Sequence, residues 1–208
     1  GSRCYNCHMP HTTYGLLKGI RSHQVSSPSA QESVEVGRPN ACNLCHLDQT
    51  LEWTGAKLEE WHQIDKPQLK PEQKEVAASV LWLTQGDAAQ RALTAWHMGW
   101  KPALEASGAD WVAPHLARQL DDPYNAVRYI SARSLKGLPG YEDWSYNYVG
   151  PVEKRREAAS VALDRWSGSF RENVEKKRLL IGSDGKFDEA SYSRLLQYRD
   201  NTPINMAE

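Results

Sequence analysis

Four cysteines form two copies of one short motif near the start of the 208-residue sequence. The copies read CYNCH and CNLCH, and their chemically active residues are Cys4, Cys7 and His8, and Cys42, Cys45 and His46. C-x-x-C-H is the attachment signature of c-type haem. On a helical turn, residues i, i+3 and i+4 share one face, so two thiols and one imidazole can meet the same porphyrin. The motifs predict two covalently attached haem c groups, with four cysteine thioethers and with His8 and His46 as proximal iron ligands.

Two other kinds of site also use a C-x-x-C pair. A zinc ribbon places its second pair roughly 15 to 20 residues after the first, and the interval from Cys7 to Cys42 is much longer. A thioredoxin-like dithiol occurs once, near a βαβ pattern that this sequence does not suggest. The doubled motif, with a histidine in each copy, therefore favours haem over a shared zinc site or a redox dithiol.

Three further histidines are candidates for the opposite faces of the two irons. Ligands on opposite faces need Cα atoms about 12 Å apart, and three extended residues span at most roughly 10 to 11 Å. His11 is therefore too close to His8 to serve the same iron, and we expect it to bind the second one. His23 has enough chain to fold back over the first haem. The preferred pairs are His8 with His23 and His46 with His11; His62 is the alternative ligand of the second haem, and His23 can also reach that haem.

Ligation by two histidines holds an iron low-spin and closed to substrates, which suits electron transfer. An iron without a sixth ligand would instead be open to small molecules. His97 and His115 stand in apolar helical runs, and we expect both to be buried in the core. Trp53 and Trp61 are candidates to lie against the porphyrins.

Beyond about residue 70 the sequence changes to amphipathic helical patterns with short breaks. Apolar residues recur at spacings of three and four, and period-two alternation is scarce. The predicted helices cover 71–85, 87–100, 109–120, 122–140, 151–168 and 187–201. The predicted fold is therefore mainly α, with a dihaem cytochrome c domain of little regular structure over 1–64 packed on a helical domain over 65–208.

One stretch of the helical region, LARQLDDPYNAVRYISARSLKGL, resembles a HEAT repeat. An apolar helix, an Asp-Pro turn and a second helix with Val-Arg near its start follow in that order, and Arg128 is expected to brace the turn. The alternative is a plain helical bundle.

The sequence argues against a nucleic-acid partner and against a membrane-spanning segment. The 25 basic and 26 acidic residues nearly cancel, so the sequence gives no sign of a basic face for nucleic acid. No stretch approaches the roughly 18 to 20 apolar residues that a membrane-spanning helix needs. We therefore expect no nucleic-acid partner and no transmembrane segment in this chain.

The segments CHMPHTTYGLLKGIRSH and GRPNACNLCHLDQTLEW resemble the multihaem c-type cytochromes with doubled CxxCH motifs, the group related to cytochrome c554 and c3-like proteins. The whole chain looks like bacterial members of this group in which such a haem-binding segment is joined to HEAT-like repeats. The resemblance implies that His23, in the RSH element, is a distal iron ligand. It also implies export to the periplasm or cell surface, with redox partner proteins that include other multihaem cytochromes. Relatives carry more haem motifs upstream, so we expect this sequence to be the terminal part of a longer protein.

Three functions are compatible with these residues. The first is electron transfer by two closely spaced haems, and it is preferred because no catalytic constellation is visible elsewhere. The second is a redox enzyme in which one open haem acts on a small nitrogen, sulfur or oxygen species. The third is a HEAT-type interaction module that carries an electron relay.

Overall fold

The computed structural model describes residues 3–166 and 176–205, and within them the fold is mainly α, as predicted. The helices are α1 (Cys4–His8), α2 (Ala30–Glu35), α3 (Ala41–Cys45), α4 (Leu51–His62), α5 (Pro71–Glu75), α6 (Ala78–Gln85), α7 (Ala88–His97), α8 (Lys101–Ser107), α9 (Val112–Arg118), α10 (Asn125–Lys136), α11 (Val152–Arg165) and α12 (Glu189–Leu196). The two strands are β1 (Thr13–Gly15) and β2 (Lys18–Ile20). Positions 167 and 168 of the predicted helix 151–168 lie outside the described residues.

The N-terminal segment has more regular structure than we predicted. Strands β1 and β2 pair antiparallel, with Thr13 opposite Ile20. Their two-residue turn consists of Leu16 and Leu17, whose φ angles are 51° and 55°. Such a turn normally uses Asn and Gly, because both central residues need positive φ. The two leucines gave no turn signal, so the hairpin was not predicted.

Helices α3 and α4 begin at side-chain caps. The Asn40 side chain accepts from the backbone N–H of Asn43 at 3.0 Å, and the Thr50 hydroxyl accepts from that of Trp53 at 3.1 Å. Each cap satisfies a backbone donor that the first helical turn leaves without a partner. Helix α4 ends at Gln63, which takes the left-handed conformation that closes many helices.

The predicted helix over 71–85 is two helices in the structure. The chain is extended at Val76. The next two amides bond to distant carbonyls, Ala77 to Arg178 and Ala78 to Gln49, each at 2.9 Å. These tertiary bonds replace the helical ones at this point and separate α5 from α6.

The helical scaffold packs around α7. Helices α6 and α10 and the β hairpin all contact α7, α9 and α10 pack together, and α11 covers α9. The guanidinium of Arg128 donates to the carbonyls of Asp122 and Pro123, at 2.7 and 2.9 Å, so it braces the turn between α9 and α10 as predicted. Helix α3 packs against α8, α6 and α7. The N-terminal segment therefore rests directly on the scaffold.

Among the described residues, no helix is both long and apolar enough to cross a membrane.

Candidate functional site

The first CxxCH motif forms helix α1. Cys4 is exposed and Cys7 is half-buried. The Nδ1 atom of His8 lies 2.9 Å from the carbonyl oxygen of Ser26, so Nδ1 carries the proton and Nε2 keeps its lone pair. Histidines that bind metal commonly donate their other N–H to a carbonyl in this way. Nε2 is therefore the ring nitrogen of His8 that this hydrogen bond leaves available.

Arg21 fixes the end of this first motif. Its guanidinium donates to the carbonyls of Tyr5 and Met9, both at 2.7 Å, and to the side-chain oxygen of Asn6 at 3.1 Å. The last carbonyls of a helix lack intrahelical donors and attract cations. Arg21 thus holds α1 to the segment that follows the hairpin.

The second motif forms α3 and is held by a buried amide network. The Asn43 side chain donates to the carbonyl of Gln49 at 2.9 Å and accepts from the Thr54 hydroxyl at 2.7 Å. His46 follows the helix, with its ring 5.0 Å from that of Trp53. Burial lowers the pKa of His46, and the nearby Asp48 opposes this shift. The burial favours a neutral imidazole, which is the form that binds iron.

The two motifs lie next to each other. Helices α1 and α3 are in contact, and all four cysteines are free thiols. The pKa of the Cys42 thiol is raised to about 11, mainly by burial and to a smaller extent by the nearby Cys7. Burial likewise raises the pKa of Cys45. The two CxxCH motifs are thus joined in one unit.

His11 lies between the hairpin and α7, among aromatic rings. Its ring centroid is 4.7 Å from Trp96 and 5.5 Å from Trp100. Its Nδ1 atom lies 3.3 Å from the carbonyl oxygen of Gly19, which again leaves Nε2 with a lone pair. Burial and then Arg21 lower the pKa of His11, so the neutral form is favoured.

The other predicted distal ligands lie at the surface. His23 is exposed, in a loop whose ends are tied back to the first motif: Ser22 donates to the carbonyl of Pro10 at 2.8 Å, and Ser26 to that of His8 at 2.9 Å. His62 is exposed at the end of α4. The structure therefore places His23 beside the first motif, while its pairing with an iron stays a prediction.

His97 and His115 are core residues, as predicted. Their exposed fractions are 1% and 0%. The Nε2 atom of His97 lies 3.0 Å from the carbonyl of His11, and that of His115 lies 2.9 Å from the carbonyl of Leu179. Burial lowers the pKa of each to about 4. Both histidines join segments that are distant in the chain.

A cavity of about 580 Å³ opens beside the second motif. Cys45, Trp100 and Pro102 line it from one side, and the first motif lines it from the other. Arg3 and Arg21 also line it and can pair with carboxylates. Glu105 also lines the cavity, which therefore presents an indole, a thiol, two guanidinium groups and one carboxylate.

The residues present fit covalently attached haem. Each motif supplies two thiols and a histidine, and the cavity adjoins one of those thiols. In the described ranges, 3–166 and 176–205, no group of three or more His, Cys, Asp or Glu side chains is arranged to hold a bare metal ion. A haem iron needs only one or two protein ligands and does not depend on such a group.

Sequence reasoning identified the motif residues but missed the groups that surround them. Trp96 and Trp100 share a helical spacing of four, which signals a common face but not its neighbour. The carbonyl-binding role of Arg21 had no sequence signal, because its partners are defined only by the fold.

Comparison with models of known protein families, with curated proteins and with solved structures finds no match to this chain. The functional argument therefore rests on the residues and their geometry.

Proposed function

We propose that this chain is an electron-transfer module that carries two covalently attached c-type haems. The observation that carries the proposal is the direct contact between α1 and α3, which joins two complete CxxCH motifs with free thiols. Cys4 and Cys7 would hold one haem and Cys42 and Cys45 the other. Each bound haem supplies an iron that takes up and releases one electron.

The protein's own residues prepare the proximal side of each site. The Ser26 carbonyl fixes the tautomer of His8, and partial burial beside Trp53 favours neutral His46. Neutral imidazole suits iron in both oxidation states.

The distal ligands proposed are His23 for the first haem and His11 for the second. Support for His11 comes from Trp100, whose ring lies 5.5 Å from His11 and also lines the cavity next to Cys45. His11 thus lies near the second motif although it follows the first in sequence. A ligand shared in this way would couple the two sites mechanically, and the alternative ligand remains His62.

The compartment and partners follow from the same proposal. Haem c is attached outside the cytoplasmic membrane in bacteria, so we propose a periplasmic or cell-surface location. Redox proteins, including other multihaem cytochromes, are the proposed partners. The helical scaffold would then provide the surface on which they dock.

The test is to produce the chain in cells that attach haem c, to stain it for haem, and to measure the intact mass of the purified protein. We expect the mass of the polypeptide plus two haems, and low-spin signals for both irons in the electron paramagnetic resonance (EPR) spectrum of the ferric protein. The Cys4→Ser/Cys7→Ser and Cys42→Ser/Cys45→Ser variants should each retain one haem.

Two results would contradict the proposal. A mass equal to bare polypeptide, or to polypeptide with zinc, would exclude a cytochrome. A high-spin ferric signal that shifts on addition of nitrite or cyanide would instead favour the enzyme with one open haem.

A further inference from the structure

We propose that a cleft on the helical scaffold binds a small planar aromatic anion. This aromatic–basic cleft lies between Tyr129, Arg133 and Lys136 on α10 and Trp144, Tyr146 and Tyr148 on the loop that follows. The inference does not rest on the haems, because no residue of the two CxxCH motifs lines the cleft.

The cleft has the size of a ligand site. Its volume is about 550 Å³, and pockets for small molecules commonly measure roughly 300 to 1,000 Å³. Tyr129, Arg133 and Lys136 follow each other at spacings of four and three, so they lie along one face of α10. The loop forms the facing wall.

The walls are flat and aromatic. The rings of Trp144 and Tyr146 are stacked, with centroids 5.4 Å apart and planes within 9° of parallel. Tyr129 and Tyr148 meet edge to face, with centroids 5.1 Å apart. Trp144 is only 5% exposed, so the half-buried rings of Tyr129, Tyr146 and Tyr148 are the ones that a ligand can contact. Aromatic rings pack favourably against other flat rings, so the cleft favours a planar ligand.

Three hydrogen bonds to residues outside the cleft lining hold the loop that forms its facing wall. The Tyr146 hydroxyl donates to the carbonyl of Leu120, and the Arg128 guanidinium donates to that of Tyr148 at 2.7 Å. The backbone N–H of Trp144 donates to the carbonyl of Tyr141 at 3.0 Å. A wall that is already ordered loses little conformational freedom on binding, which favours affinity.

The charge of the cleft selects an anion. Arg133 and Lys136 are exposed cations, and none of the described lining residues is acidic. The two carboxylates that directly precede Trp144 in sequence have other partners: Asp143 pairs with Arg165 at 2.8 Å, and Glu142 accepts from the N–H of Gly140 at 3.0 Å. A ring that carries a phosphate, sulfonate or carboxylate would satisfy both the aromatic walls and the two cations.

The test is calorimetric titration of the purified full chain with three probes. Flavin mononucleotide carries both a flat ring and an anion, riboflavin carries only the ring, and inorganic phosphate only the anion. We expect saturable binding of flavin mononucleotide at one site, at least about tenfold tighter than binding of either other probe, because each charged hydrogen bond is worth about a factor of ten.

Variants locate the site. Arg133→Gln/Lys136→Gln should weaken binding of flavin mononucleotide at least about tenfold. The matched control Lys74→Gln, which removes an exposed cation from α5, should leave it unchanged. Circular dichroism and haem content confirm that the variants fold, since all three side chains are exposed.

Several results would overturn the inference. They are no binding of flavin mononucleotide, equal binding of riboflavin or of phosphate, and unchanged affinity in the Arg133→Gln/Lys136→Gln variant. None of these results would alter the haem count, so failure here is distinct from failure of the proposed function.

Discussion

The Nε2 atom of His97 donates to the backbone carbonyl oxygen of His11 across 3.0 Å. The bond joins the last residue of α7 to the segment that follows the first CxxCH motif. Because His97 is only 1% exposed, the bond is shielded from water and fixes the backbone of His11 against the scaffold. The scaffold thereby determines where the ring of His11 lies, next to Trp96 and Trp100.

This placement leads to a prediction about the distal ligands. His11→Met should replace the axial ligand of the second haem and leave the first unchanged, whereas His23→Met should do the reverse. His62→Met should alter neither, because the proposed pairs His8 with His23 and His46 with His11 already give each iron two histidines. Low-temperature EPR and near-infrared spectra of the ferric proteins identify the ligands. A change with His62→Met and none with His11→Met would establish the alternative pairing.

The hairpin turn predicts a stabilising substitution. Leu16 and Leu17 both have positive φ, a conformation that is unfavourable for most residues with a Cβ atom. Gly has no Cβ atom, and Asn tolerates positive φ better than Leu does. Leu16→Asn/Leu17→Gly should raise the free energy of unfolding by about 1 kcal/mol. Urea denaturation measures the change. The same pair placed at Leu195 and Leu196, which lie in helix α12, should lower stability and serves as the control.

Two neighbouring aspartates should differ sharply in their contribution to stability. Asp122 forms a fully buried ion pair with Arg91 at 2.7 Å, whereas Asp121 is 28% exposed and pairs with Arg156 at 2.8 Å and with Arg155 at 3.2 Å. Removing one partner of a buried pair leaves an uncompensated charge and costs about 3 to 5 kcal/mol. Asp122→Ala should therefore destabilise the fold by about that amount, and Asp121→Ala by at most about 1 kcal/mol. Chemical denaturation at neutral pH compares them, and equal losses would contradict the prediction.

The buried His115 should make stability depend on pH. Burial lowers its pKa from 6.5 to about 4, so the folded protein keeps it neutral while the unfolded chain protonates it. Its contribution is complete above pH 6.5 and is lost as the pH falls towards 4. The loss approaches roughly 1 kcal/mol per pH unit in that window.

Urea midpoints between pH 7 and pH 4 measure this dependence. In the His115→Gln variant, the amide can still donate to the carbonyl of Leu179 but does not titrate. Its stability should therefore fall less steeply with pH than that of the original chain. An identical slope in the two proteins would show that other groups cause the loss.

The sequence predicted most helices of the scaffold, but α4 (Leu51–His62) and α8 (Lys101–Ser107) were not predicted. The turn at Asp122–Pro123 and the brace at Arg128 were both expected and are observed. The split between α5 and α6 was not predicted, because its cause is a pair of bonds to carbonyls at Gln49 and Arg178. Sequence patterns report the periodicity of a segment but not the distant groups that compete for its backbone.

The sequence by itself determined the two CxxCH motifs, because thiols and imidazole spaced by three and four residues share a helix face whatever surrounds them. It also determined that His11 is too close to His8 for the two to bind opposite faces of one haem. Only the tertiary structure decided that the two motifs are in contact and that Trp100 lies beside His11 and also lines the cavity next to Cys45. Those relationships depend on bonds such as the one from His97 to His11, 86 positions apart, and no local pattern specifies contacts at that range.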